Sequence, residues 1–223
     1  MSSRPTTPDL GRTPVELQFQ ALHAQLQRVR AMQHRHSDLF YKLVSLAVPA
    51  LALMAALSMT ETLRAVALLI PFFVIWVGVQ SAYFLSYVVL ARVYATGLEQ
   101  SLNELLGGDA LVAHRLEATY LFPLGGPQFA GVPLRADLTF IGFITIHFWL
   151  LGAASILLAS YRAWQLLPLL ERDFPPASYY FPALIAWSLL HLVYLGWYFG
   201  TRYHERRVMQ LVRDAYGTSY DHA

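Results

Sequence analysis

The sequence predicts an all-α integral membrane protein. It has four transmembrane helices, long cytoplasmic helical extensions forming a stalk, and an amphipathic C-terminal helix. Three observations predict it. Four apolar runs, Leu39–Met59, Leu63–Leu90, Leu138–Tyr161 and Phe181–Phe199, are each long enough to cross a bilayer, which takes about 20 apolar residues. Only 13% of the 223 residues are charged and 56% are hydrophobic, whereas a soluble domain carries about 25% charged residues. Finally, the first two runs continue into charged, helix-patterned extensions of matching length. Val15–Met59 and Leu63–Leu106 are each about 45 residues, or roughly 65 Å if helical throughout.

Residues 1–14 hold Pro5, Pro8 and Pro14 among Ser, Thr and Gly, the composition of a disordered tail. A polar stretch of this kind before the first span excludes a cleavable signal. Over 15–38, Val15, Phe19, Leu22, Leu26 and Val29 recur at spacings of four and three, a heptad seam that predicts a coiled coil. The seam turns polar at Gln33 and His36 before Phe40 and Leu43. Ala91, Tyr94, Leu98, Leu102 and Leu105 offer a second seam on the other leg. The two seams either pack against each other, antiparallel, or against another subunit.

Transmembrane hairpin 1 occupies 39–90. Its turn is Thr60-Glu61-Thr62, and Ser58 with Glu61 reads as a capping box for the second helix, in preference to an ion site. Pro49 and Pro71 fall inside the spans, where each removes a backbone donor and kinks its helix, making them candidates for gating. Residues 91–137 form the cytoplasmic extension and an interfacial loop. Gly107-Gly108 ends the second leg, and Asp109 caps a short helix over Ala110–Tyr120, with an extended alternative for Leu111–Leu116. The stretch from Leu121 to Pro133 is apolar yet full of Gly and Pro, neither strand nor helix. It reads as a loop at the inner interface with Phe122 and Phe129 dipping into headgroups, or as a re-entrant loop.

Transmembrane hairpin 2 occupies 138–200. The outer loop Arg162–Tyr180 carries Trp164, Phe174, Tyr179 and Tyr180, an aromatic belt answered on the inner side by Trp197, Tyr198 and Tyr203. Residues 201–223 form the tail, where Val208, Leu211, Val212 and Ala215 share one helix face, to lie on the membrane or dock on the stalk. Basic residues concentrate in the N-terminal segment, the middle loop and the tail. The two other loops hold only Arg64, Arg162 and Arg172. Positive charge stays inside, so both termini are expected in the cytoplasm, with the chain in the inner membrane of a bacterium. All but one of the 16 basic residues are Arg, the exception being Lys42, a skew typical of GC-rich genomes.

Cysteine is absent, which excludes disulfide scaffolds and thiolate metal sites. A net charge of +2 leaves no nucleic-acid footprint. Counted from the cytoplasmic ends, Gln80, His147 and His191 share one depth near the bilayer midplane. Such a layer is an interhelical hydrogen-bond cluster, a titrating row in a permeation path, or a haem held between His147 and His191. Trp187, one turn from His191, is placed to pack on it. His34 and His36 point to different helix faces and make no metal pair. No cofactor and no metal are expected, and catalytic signatures are absent.

The tail segment Arg202-Tyr203-His204-Glu205-Arg206-Arg207-Val208-Met209, followed by Asp214-Ala215-Tyr216-Gly217-Thr218-Ser219-Tyr220, resembles the C-terminal stretch of the isoprenylcysteine carboxyl methyltransferase family. The resemblance covers under a tenth of the chain and implies binding of S-adenosylmethionine. Here one acid, Glu205, stands where that family has two, and the Arg-His-Pro motif is replaced by Phe122-Pro123. The leading functional expectation is non-enzymatic. It is a homo-oligomeric pore, an ion channel, or a membrane sensor transmitting through its stalk to a cytoplasmic protein. The alternative is a small membrane enzyme or redox subunit.

Overall fold

The computed structural model describes residues 14–120, 128–129, 132–133, 140–172 and 175–216. The expected disordered tail up to residue 13, most of the interfacial loop with Phe122, and residues 217–223 lie outside them. Six helices carry the fold: α1 (Val15–Ser58), α2 (Ile70–Leu106), α3 (Ala113–Tyr120), α4 (Phe140–Glu171), α5 (Tyr180–Thr201) and α6 (Tyr203–Tyr216). Short 3₁₀ turns at Arg64–Leu69 and Pro175–Tyr179 lead into α2 and α5. Among the described residues, four helical stretches are long and apolar enough to cross a membrane.

The first hairpin departs from the expected capping box. The Ser58 hydroxyl donates to the Ala55 carbonyl at 2.7 Å, and the Thr60 hydroxyl donates to Leu57 O and accepts from the Leu63 N–H. Ser58 ends α1 and starts nothing: a 3₁₀ turn intervenes and the α-helix begins only at Ile70, too far for a cap. Pro71 therefore lies in the first turn of α2, where its missing N–H has no partner to lose. It marks the start of the helix and does not interrupt it. Pro49 does fall within α1.

Two further boundaries move. Helix α4 runs on to Glu171, through the part of 162–180 expected as loop, with Pro168 inside it. Helix α3 starts at Ala113, and Asp109 pairs with Arg115 at 2.8 Å and does not cap it. Within the breaker-rich stretch expected to form no strand, Gln128–Phe129 pairs antiparallel with Val132–Pro133.

The two seams pack on each other within one chain. Leu26 and Val29 of α1 are buried against Ala91, Ala95, Leu98 and Leu102 of α2, flanked by Phe19, Leu22, Met32, Tyr94 and Leu111. Val15, the first seam position, is exposed. The buried core thus sits at the polar end of the hairpin. Along the apolar runs the arrangement is inverted: Leu46, Leu53, Leu157 and Val193 are exposed, and none of the most apolar window of α1 is buried. Apolar side chains facing outward over such a length suit a hydrocarbon solvent.

Helix α2 is the hub, packing against α1, α4, α5 and α6. Among the described residues, no Cα of α4 lies within 8 Å of one in α5. Helix α6 docks on α2 through Glu205, Val208, Met209 and Val212, which are buried or half-buried, whereas Leu211 and Ala215 of the anticipated face are exposed. Packing on an already crowded α2 selects a face rotated from the most apolar one.

Candidate functional site

The side chains with the most chemistry collect at the polar end of the α1–α2 hairpin. Arg92, Thr96, Glu99 and Asn103 recur at four, three and four residues along α2, so they share one face. All four are buried, Arg92 to 1% exposure and Glu99 to 2%. Helix α1 brings Arg30 and Gln33 to this face. Helix α3, one turn apart, brings His114 and Glu117.

The end of α2 explains why α3 lies there. Gly107 adopts φ +68°, the left-handed conformation glycine takes without strain. Its N–H bonds Glu104 O and the Gly108 N–H bonds Asn103 O, the paired bonds of a Schellman end. The Asn103 amide then grips the backbone of Leu111 twice, donating to its carbonyl at 2.8 Å and accepting from its N–H at 2.7 Å. This clamp turns the chain back and lays α3 along the charged face.

The charges form a continuous chain. Arg30 donates to Glu99 Oε1 and to Glu117 Oε1, both at 2.5 Å, and to the Gln33 amide oxygen at 2.8 Å. Gln33 in turn donates to Glu117 at 3.1 Å. Arg92 Nε donates to Glu117 Oε2 at 3.3 Å. The other oxygen of Glu99 accepts the His114 backbone N–H at 2.9 Å and lies 3.0 Å from His114 Nδ1. Two guanidinium groups face two carboxylates, so the cluster closes near neutrality. Burial pushes the Glu99 carboxyl up, but the bonds from His114 and Arg30 outweigh it and hold it below the ordinary carboxylate value. Burial likewise pulls the Arg92 guanidinium down, opposed chiefly by Glu117.

Just above this cluster His36 stacks flat on Tyr87, with centroids 4.6 Å apart, and its Nδ1 lies 2.8 Å from Met32 O. The polar turn of the α1 seam, Gln33 and His36, thus meets partners on α2 and α3. Buried ion pairs seldom add net stability, yet removing one partner is costly. Such a cluster fixes how helices sit on one another.

The expected midplane residues lie outside this cluster, on three different helices. Gln80 is half-buried on α2, and His147 is exposed on α4. His191 is half-buried on α5, with Nδ1 2.7 Å from Trp187 O and its ring 4.2 Å from the Trp187 indole, the contact expected from their spacing. The haem alternative gains no supporting observation. Among the described residues, no group of three or more His, Asp or Glu is placed to hold a metal. Arg30, Arg92, Glu99, His114 and Glu117 are not singled out by sequence reasoning. The available signal is Arg92 and Glu99, two charges a heptad apart on a helix that must bury both its sides.

A second feature lies at the α5–α6 corner. Ser86, Val89 and Leu90 of α2, with Tyr198, Phe199, Arg202, His204 and Glu205, line a small, partly open cleft. Arg202 forks onto Glu205, with Nε at 2.8 Å, and this bond raises its pKa against the opposing effect of burial. Glu205 is the acid on which the methyltransferase resemblance turns, and here it is held by that arginine. No protein family, curated protein or solved structure matches the chain.

Proposed function

We propose that the chain is a multi-pass membrane sensor that transmits state from its spans to a cytoplasmic helical stalk, and that it works as a homo-oligomer in the inner membrane of a bacterium. One observation carries this reading. Two of the helices apolar enough to span, α1 and α2, continue directly into the buried cluster Arg30–Glu99–Glu117–Arg92. A shift or rotation of α1 against α2 in the bilayer has to break these bonds and form others. Bonded charges in a desolvated site favour discrete arrangements over continuous drift, which a transmitting element needs. The outer faces of α1 and α6 are open to a cytoplasmic protein partner.

The test uses the absence of cysteine. Spin labels on cysteines at Gln27 and Glu104, both exposed, report the separation of the two legs. The expected result is two distance populations whose ratio changes with bilayer thickness and with Arg30→Gln. A single distance, indifferent to both, rules out transmission through this hinge.

A pore is the second reading, favoured by Gln80, His147 and His191 at one depth of the apolar runs. A single chain of four spans has little room for an axial path, so conduction needs several copies. Particle mass in detergent showing monomers alone excludes the pore. The enzyme and redox alternatives, haem-binding or methyltransferase-like, rest on sequence alone. A Soret band in purified protein would revive the haem.

A further inference from the structure

We infer that the cleft at the α5–α6 corner binds the headgroup of an anionic phospholipid. The inference rests on the membrane reading and adds a ligand to it. The cleft lies where two apolar runs stop together: Leu90 ends that of α2 and Phe199 that of α5, and both line it. Val89, Leu90 and Phe199 give it an apolar wall for the first carbons of acyl chains. Tyr198 and His204 give it polar groups for a phosphate, beside the Arg202–Glu205 pair.

Its rim is aromatic and basic. Trp197 stacks on Tyr203 at 6.4 Å, and His204 lies 5.3 Å from both the Tyr198 and the Tyr203 rings. Amphipathic rings of this kind settle at the headgroup level of a bilayer. Arg206 and Arg207 follow immediately, both exposed, with Arg207 reaching the Tyr203 hydroxyl at 3.5 Å. The one acid, Glu205, is paired with Arg202 and also feels the charge of Arg92. Its charge is therefore spent, and the corner carries a surplus of two positive charges.

The backbone adds a separate observation. Arg202 has φ +47° and is the only non-glycine described residue with positive φ. Gly fits that conformation without strain, and a non-glycine residue held there points to a role for its side chain. The Arg202 guanidinium fixes the corner on Glu205, and both residues line the cleft.

The experiment counts lipids retained by the purified full chain in neutral detergent, using native mass spectrometry with phosphatidylglycerol, phosphatidylcholine or inorganic phosphate. The expected result is retention of phosphatidylglycerol about thirtyfold over phosphatidylcholine, the scale of two basic residues at an anionic surface. The double variant Arg206→Gln/Arg207→Gln should lose that preference, with helicity unchanged by circular dichroism. The control Arg28→Gln/Arg35→Gln, on exposed positions of α1, should keep it. If the double variant misfolds, Arg207→Gln alone should still lower the preference severalfold. Equal retention of both lipids, loss of preference in the control, or displacement by millimolar inorganic phosphate each overturns the proposal, the last by assigning the cleft to a free anion. Retention of the chain in membranes after an alkaline wash tests the membrane reading separately.

Discussion

Glu99 is under two opposed demands. At 2% exposure its charge is desolvated, yet Arg30 and the His114 backbone hold it ionised. Glu99→Gln keeps the shape and removes the charge, leaving Glu117 as the one carboxylate on Arg30 among the described residues. The expected cost is about 2 kcal/mol, the scale of a charged hydrogen bond lost in a buried site, read as the difference in unfolding free energy from wild type. Its pH dependence has a definite sign. The folded-state pKa lies below the unfolded one, which is about 4.3. The stabilisation is therefore complete above that value and is lost as pH falls through the depressed folded value. The difference between wild type and Glu99→Gln should be flat from about pH 6 to 8 and shrink only below about pH 4. A difference that vanished between pH 6 and 8 would mean that Glu99 is not the group whose titration sets this stability.

At the scale of elements, α6 separates what periodicity can say from what it cannot. The repeat of Val208, Leu211, Val212 and Ala215 correctly marks an amphipathic helix, yet the docked face is turned toward Glu205, Val208, Met209 and Val212. A helical pattern ranks faces by hydrophobicity. The partner ranks them by what its surface will accept, and the surface of α2 includes the buried Arg92. Val212→Asp should release α6, because Val212 is 3% exposed, whereas Leu211→Asp should not, because Leu211 is 61% exposed. Release is measured as trypsin cleavage at Arg206 or Arg207 at least several times faster than in wild type. Equal cleavage of both variants would mean that α6 does not sit as described.

The same contrast explains the cluster itself. The seams Leu22–Leu26–Val29 and Ala91–Leu98–Leu102 are legible because apolar spacing is local. Arg30 finds Glu117 across 87 residues only through the Gly107 turn and the Asn103 clamp. Such pairing has no local signature. The turn alone is readable from Gly107-Gly108, and the missed capping box at Ser58 shows the reverse case, a local signature that the next element declines to use.

For the whole molecule, the strongest sequence argument is the four apolar runs, and the structure agrees that four helices are long and apolar enough to cross a membrane. Charge sets the expected direction of crossing. One end of the structure collects Arg28, Arg30, Arg35, Arg92, Arg115, Arg202, Arg206, Arg207 and Arg213, and the other holds Arg64, Arg162 and Arg172. The positive-inside bias acts during insertion, on residues within about 20 positions of a span end. Both termini, α3 and the buried cluster should accordingly lie in the cytoplasm, with the tip at Glu61 and the turn at Ser178 outside. The chain has no cysteine to confuse a labelling experiment. Ser178 and Glu104 are both exposed, so burial does not mask either. Ser178→Cys should react with a membrane-impermeant thiol reagent in intact cells, and Glu104→Cys only after lysis. The opposite pattern would invert the orientation and put the charged cluster outside, where it could not signal to a cytoplasmic partner. Reaction of both in intact cells would mean that the apolar helices do not separate two compartments.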